Sequence, residues 1–291
     1  MKKNSNSKQQ IWVDGRFVGY DTPTLPPTVR GVLYGAGCFE TFQSYAGRFL
    51  HLDRHLQRFS DGIQWLRGDE SPVPIETDLR PVLNRLLEMN GLEDTDAIIR
   101  LQASLLAERG YRDEPGTGFQ LSITATQKPV SETPVRLVYS DTCVVPNRCR
   151  PAGLKLSNTL HYLQAFREAV KQNRDDALMK TVNGKIAETS VANVFWKEGY
   201  TVYTPSPSCD ILPGQMRQIL LEQIPEWTGC RVEEGEFGPE HLEKAEHLWV
   251  CNSLKQVQPV ASLDGREYSV ESPFYAQLTD VLSCYIQRSA I

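Results

Sequence analysis

Apolar positions recur along this chain at two different periods, and the period changes mark the elements. Leu52, Leu56, Phe59, Ile63 and Leu66 follow one another at steps of four, three, four and three, and Leu79, Val82, Leu83, Leu86 and Leu87 fall at i, i+3, i+4, i+7 and i+8. Such steps line one stripe of a helix. Asn90-Gly91 then supplies a stop, because glycine readily takes the left-handed conformation that closes a helix. Ile11 to Val18, IWVDGRFV, sets two short apolar runs either side of Asp14-Gly15, a pair suited to the positive φ of a type I′ hairpin turn. Cys38 to Ser44, Ala97 to Ser104 and Gly118 to Thr126 read as further strands, so the first part of the chain is expected to be α+β.

The later part shows the same mixture. A strand is expected at VRLVYS from Val135, a helix from about Leu160 to Gln172, a hairpin turning at Asn183-Gly184 and a strand from Val194. A helix from about Gly214 to Leu221 and a strand from His247 follow, and Phe274, Leu278, Val281, Leu282 and Tyr285 mark a terminal helix. Between Gln127 and Pro134, QKPVSETP holds two prolines and little apolar material, which suits an interdomain connection. The expected organisation is a disordered tail over 1–10, a small α+β domain over 11–126, a linker over 127–134 and a large domain over 135–291.

Composition narrows the function classes. With 291 residues, 40% hydrophobic and 23% charged, the chain can bury the cores of two domains. Its 31 Lys and Arg against 36 Asp and Glu leave a net charge of −5, so no nucleic-acid partner is expected. No apolar run approaches the roughly 20 residues of a membrane-spanning helix, and MKKNSNSKQQ carries no secretory core. A cytoplasmic enzyme without membrane attachment is the expectation. The 7 cysteines are scattered without a CxxC pair, which gives neither a disulfide framework nor a zinc ribbon.

Generic site motifs add little. The third glycine of a dinucleotide loop begun at Gly35-Ala36-Gly37 would fall at Glu40, and P-loop and nucleophile-elbow patterns are absent. His51 and His55 stand four apart, yet no glutamate follows His51 and no third ligand suggests itself, so no metal is expected.

Whole segments say more. VRGVLYGAGCFETFQSYAGRFLHLDRHLQRF from Val29 to Phe59 resembles the opening signature of the fold-type IV pyridoxal-phosphate enzymes. Gly153-Leu154-Lys155 with Asn158, DDALMKTVNGKIAETSVANVFW from Asp175 to Trp196, Leu212 to Arg217, and VCNSLKQVQPV from Val250 to Val260 resemble the later ones, in the same order. That group contains the branched-chain and D-amino-acid aminotransferases and 4-amino-4-deoxychorismate lyase. The resemblance implies a two-domain α+β fold with pyridoxal 5′-phosphate in the interdomain cleft, a large cofactor-binding domain, an amino-acid-like small-molecule substrate and a homodimer.

The resemblance also assigns roles. Lys155 matches the Schiff-base lysine, 33 residues before Glu188, which matches the carboxylate placed against the pyridine nitrogen. Lys171 and Lys180 are the nearest alternatives to Lys155 and match no motif. Arg58 matches the phosphate-binding arginine, although spacing alone leaves it equally able to lie on the solvent face of its helix. The backbone N–H groups of Gln215 and Met216, at a helix start, suit the phosphate, and Ser253 matches a phosphate-binding hydroxyl residue. Tyr34 and Phe39 are expected to line the substrate pocket, Arg109 to pair a carboxylate, and backbone near Leu254 to assist.

Two chemistries stay open within the resemblance. Glu108-Arg109-Gly110-Tyr111, Gly214-Gln215-Met216-Arg217-Gln218 and Cys251-Asn252-Ser253-Leu254 are similar to elements of the lyases. Phe39-Glu40-Thr41 is similar to the transaminases, and Ala36 stands where many members carry Asp. A catalytically silent relative that only binds a ligand is the third alternative.

Overall fold

The computed structural model describes residues 9–22, 24–68, 79–112, 117–129 and 134–291. Most of the tail expected over 1–10, and residues 130–133 of the expected linker, lie outside the described residues. The chain divides into two compact units. Unit one comprises Met1–Pro129, Leu154–Asn158 and Ser289–Ile291; unit two comprises Val130–Gly153 and Thr159–Arg288.

Unit one is built on β1 (Gln10–Val13), β2 (Arg16–Gly19), α1 (Arg30–Leu33), β3 (Gly37–Tyr45), β4 (Arg48–Phe49), α2 (Leu52–Arg67), α3 (Arg80–Asn90), β5 (Ala97–Leu105) and β6 (Phe119–Gln127). Its sheet runs β2-β1-β6-β5-β3-β4, with antiparallel neighbours throughout. The β1–β2 turn holds Asp14 at φ 45° and Gly15 at φ 88°, as the Asp-Gly pair predicts. Period-two alternation gives the sheet one apolar face: Ala97, Ile99, Leu101 and Ala103 of β5 point inward with Cys38 and Phe42 of β3. Against it lie the predicted stripes, Leu52, Phe59 and Ile63 of α2 and Leu83, Leu86 and Leu87 of α3. Glycines in the left-handed region end both helices, Gly68 at φ 71° and Gly91 at φ 64°.

Unit two contains β7 (Val135–Tyr139), α4 (Leu160–Lys171), β8 (Asp176–Lys180), β9 (Ile186–Thr189), β10 (Asn193–Glu198), β11 (Thr201–Pro205), α5 (Gln215–Thr228), β12 (Arg231–Gly235), β13 (His247–Asn252), β14 (Gln256–Leu263), β15 (Arg266–Glu267) and α6 (Pro273–Ser289). The main sheet path is β12-β11-β10-β13-β14-β7-β8-β9, and β9 also pairs with β10, opposing Glu188 to Asn193. Strands β8 to β10 are buried almost throughout, as sheets covered on both sides are. Helix α5 outruns the expected stop at Leu221 by seven residues. Proline lacks the N–H that would bond one turn back, yet Pro225 is accommodated within the helix while Ile224 continues the buried stripe, and Gly229 at φ 72° closes the helix by donating to the Pro225 carbonyl.

Leu86 is fully buried between α3 and the sheet. Leu86→Ala should therefore cost unit one roughly 2–5 kcal/mol, read as a lower urea midpoint for its unfolding.

Candidate functional site

Two groups of polar side chains stand out, one on each unit. In unit one, Lys155 sits on a short segment that adds to the sheet beside β3. Phe39 N–H donates to the Lys155 carbonyl at 2.9 Å, Ser157 N–H donates to the Gly37 carbonyl at 2.8 Å, and Cys38 bridges Leu156. The lysine's backbone is thus held by a strand ladder. Its Nζ lies 4.7 Å from the centroid of the Phe39 ring, and the Arg100 guanidinium carbon lies 3.9 Å from the same centroid. Arg100 donates to Gln102 Oε1 at 3.2 Å, and Gln102 donates to Ser157 Oγ at 2.8 Å. Phe39, Arg100 and Gln102 are the outward members of β3 and β5, so alternation places them on the face opposite the helices.

Glu40 belongs to the other face, between Cys38 and Phe42, and is wholly buried. A carboxylate survives there only with charge-assisted partners. Arg58 of α2 supplies a fork, Nε to Oε1 at 2.6 Å and Nη2 to Oε2 at 2.9 Å, and His55 Nδ1 meets Oε2 at 2.7 Å. Burial alone pushes the Glu40 carboxyl up, but the Arg58 charge and the hydrogen bonds from His55 and Arg58 outweigh it and hold the pKa down to about 2. Arg58 therefore turns inward, with its guanidinium plane fixed by Glu40, and does not lie on the solvent face. His55 is committed to the same carboxylate. Among the described residues no three His, Cys, Asp or Glu side chains are grouped as a metal site.

The segment carrying Arg109 is tethered by the buried Arg30, which donates through Nε to the Glu108 carbonyl at 3.1 Å and through Nη2 to the Arg112 carbonyl. Arg109 itself is exposed, and Tyr34 stacks on Tyr111 with centroids 5.6 Å apart. Both this loop and Tyr34 are thus on the surface of unit one.

In unit two Glu188 lies on β9, 4% exposed. Its Oε1 accepts the Tyr162 hydroxyl at 2.5 Å, its Oε2 accepts Asn193 Nδ2 at 3.1 Å, and Leu212 N–H lies 3.2 Å from each oxygen. The β9–β10 register sets Asn193 beside Glu188, and Asn193 Nδ2 also donates to the Leu212 carbonyl at 2.8 Å. One amide thereby ties the carboxylate to the approach to α5. Gly214 is the N-cap of that helix, and a Cβ there would fall against Asn193 Oδ1, so only glycine fits so close to this network. The N–H groups of Gln215 and Met216 begin the helix, while the Met216 side chain is buried. Ser253 lies in the β13–β14 turn; Asn252 Oδ1 accepts from Leu254 N–H at 2.9 Å and Lys255 N–H at 2.7 Å, so the Leu254 amide is already engaged.

The amino-transferase class IV family model matches residues 37–263. The chain belongs to that family. Aminodeoxychorismate lyase of Bacillus subtilis is 29% identical over 270 residues, 90% of this chain and 89% of the relative. Aminodeoxychorismate lyase of Vibrio harveyi is 28% identical over 268 residues, 90% and 94% of the two chains. The solved branched-chain amino acid aminotransferase from Thermobaculum terrenum, in its PLP form, superposes with a TM-score of 0.84 at 20% identity, covering 97% of this chain and 94% of that one. Its likeness establishes the fold: a fold-type IV aminotransferase architecture of mixed α and β content. The protein is accordingly an enzyme of this family.

Arg100, Tyr162 and Asn193 escaped the sequence analysis. Arg100 had a signal, since it is the charged outward residue of an alternating strand beside Phe39. Tyr162 had none, being read as part of a helical pattern, whereas Asn193 lay inside the segment from Asp175 to Trp196, just ahead of the strand expected from Val194.

Glu40 provides a pH test. Its carboxyl is lowered from 4.5 to about 2, so its stabilising contribution is fully present above 4.5 and fades as pH falls toward 2. Glu40→Ala, which leaves Arg58 buried without that partner, should cost roughly 3–5 kcal/mol at neutral pH, and Glu40→Gln should remove this component of the acid-unfolding curve followed by circular dichroism.

Proposed function

We propose that this enzyme is a 4-amino-4-deoxychorismate lyase, releasing pyruvate and p-aminobenzoate. The observation that carries the reading is similarity along 90% of the chain to two relatives of that name. Pyridoxal 5′-phosphate is the cofactor of this family. When bound, it condenses through its aldehyde with a lysine amine and draws electrons from the substrate's α-carbon into its protonated ring.

The donor set suits that group. Lys155 offers a primary amine on a rigid backbone, which would hold the cofactor's aldehyde and could act as general base at the substrate's α-carbon. Glu188, oriented by three donor groups, would be the group that accepts a ring N–H. Arg58, the N–H groups of Gln215 and Met216 and the Ser253 hydroxyl are the groups that would hold the phosphate. Arg109 pairs a substrate carboxylate, and Tyr34 and Phe39 line the pocket. Arg100 shares the Phe39 ring with Lys155 and offers a second cation for a doubly acidic substrate.

Amino-acid transamination is the second reading, favoured by the Phe39-Glu40 pair, which resembles the transaminases. The two reactions share the proton removal and part afterwards: elimination needs no oxo-acid acceptor, whereas transamination does. A homodimer in the cytoplasm supplying p-aminobenzoate for folate synthesis completes the proposal.

Purified enzyme given 4-amino-4-deoxychorismate alone should release p-aminobenzoate. Glutamate formation from an amino donor and 2-oxoglutarate, without that release, would decide for the transaminase. Lys155→Ala should lower turnover by on the order of 1,000-fold or more and abolish the yellow, borohydride-reducible adduct; persistence of the adduct would move the lysine assignment elsewhere.

A further inference from the structure

Glu188 is held by more than its strand. The Tyr162 hydroxyl at 2.5 Å makes the shortest of its hydrogen bonds given above, and it comes from α4, an element the family motifs do not touch. Tyr162 is half-buried: its ring lies 4.0 Å, centroid to centroid, from that of His161 and 5.8 Å from the Arg150 guanidinium carbon. Burial and the neighbouring Glu188 charge push the phenol pKa far up, so it stays a donor. Burial and Arg150 lower His161 to about 4, which leaves its imidazole neutral over ordinary pH. The cluster thus presents one neutral O–H to a buried carboxylate, with a guanidinium behind it.

We propose that Tyr162 is a positioning residue for Glu188, fixing the carboxylate's orientation and lowering its proton affinity so that a shared proton stays on the cofactor's ring nitrogen. This rests on the reading of Glu188 as the carboxylate at that nitrogen. The reasoning is a competition between two bases. A proton shared between a pyridine nitrogen and a carboxylate goes to the stronger base, burial strengthens the carboxylate, and every donor aimed at it weakens it. Leu212 N–H and Asn193 Nδ2 are set by backbone and register, and both persist without Tyr162. The phenol is the donor that a single substitution removes while leaving the others in place.

The test uses holoenzyme reconstituted with pyridoxal phosphate carrying ¹⁵N in the ring, whose chemical shift separates pyridinium from pyridine. Wild type should show pyridinium and Glu188→Gln should show pyridine. Tyr162→Phe, which keeps the packed ring, should move the signal toward pyridine and lower kcat roughly tenfold, with KM changed less than about twofold. Arg150→Gln should move the signal the same way by less. A Tyr162→Phe signal coincident with wild type, while Glu188→Gln shifts, would overturn the role of Tyr162 alone. If Glu188→Gln leaves the signal unmoved, the reading of Glu188 falls and the proposal with it. A change confined to KM would make Tyr162 a substrate contact and likewise overturn it.

Discussion

A carboxylate buried in a sheet must be surrounded by donors or it takes up a proton, and unit two is organised around meeting that demand at Glu188. Three separate pieces of chain contribute: Tyr162 from α4, Asn193 from β10 and the Leu212 backbone ahead of α5. The extra β9–β10 pairing exists at the residue pair where it is needed, Glu188 opposite Asn193. Because Asn193 also holds the Leu212 carbonyl and crowds Gly214, the direction in which α5 begins is tied to the same carboxylate. An acidic group and a helix start are thereby positioned as one object.

Unit one meets the same demand differently. Glu40 stands in a core face among Cys38, Phe42 and the α2 stripe, and its partners are a guanidinium fork and an imidazole. The donors described at Glu188 are a phenol, a side-chain amide and a backbone N–H, whereas Glu40 meets a guanidinium fork that it holds in place. Two acids of similar burial are thus held by groups of different charge.

Periodicity made most of the framework legible. The stripes of α2 and α3 and the alternation of β3 and β5 report burial against one sheet, and such patterns lie in the order of residues itself. Pro225 concealed the second half of α5, since local propensity opposes a helix there and only the burial of Ile224 and its neighbours sustains it. Lys155, Glu188 and Arg58 were singled out only through long motifs, because each residue type is usually a solvated charge. What no pattern conveyed is partnership: that Arg58 faces Glu40, or that Tyr162 reaches Glu188 across 26 residues, follows from packing between elements.

The membership of the short lysine-bearing strip has a topological consequence. Residues 154–158 belong to unit one although their neighbours on both sides belong to unit two, and the last three residues of the chain return to unit one as well. Neither unit is therefore a contiguous stretch of polypeptide. A fragment ending at Pro129 would lack the strip laid along β3, and a fragment beginning after it would carry Lys155 without the strand that fixes its backbone. Splitting, permuting or swapping halves of this protein as if they were beads on a string would sever the amine from its support, so the two units are constrained to be inherited, expressed and engineered as a single piece.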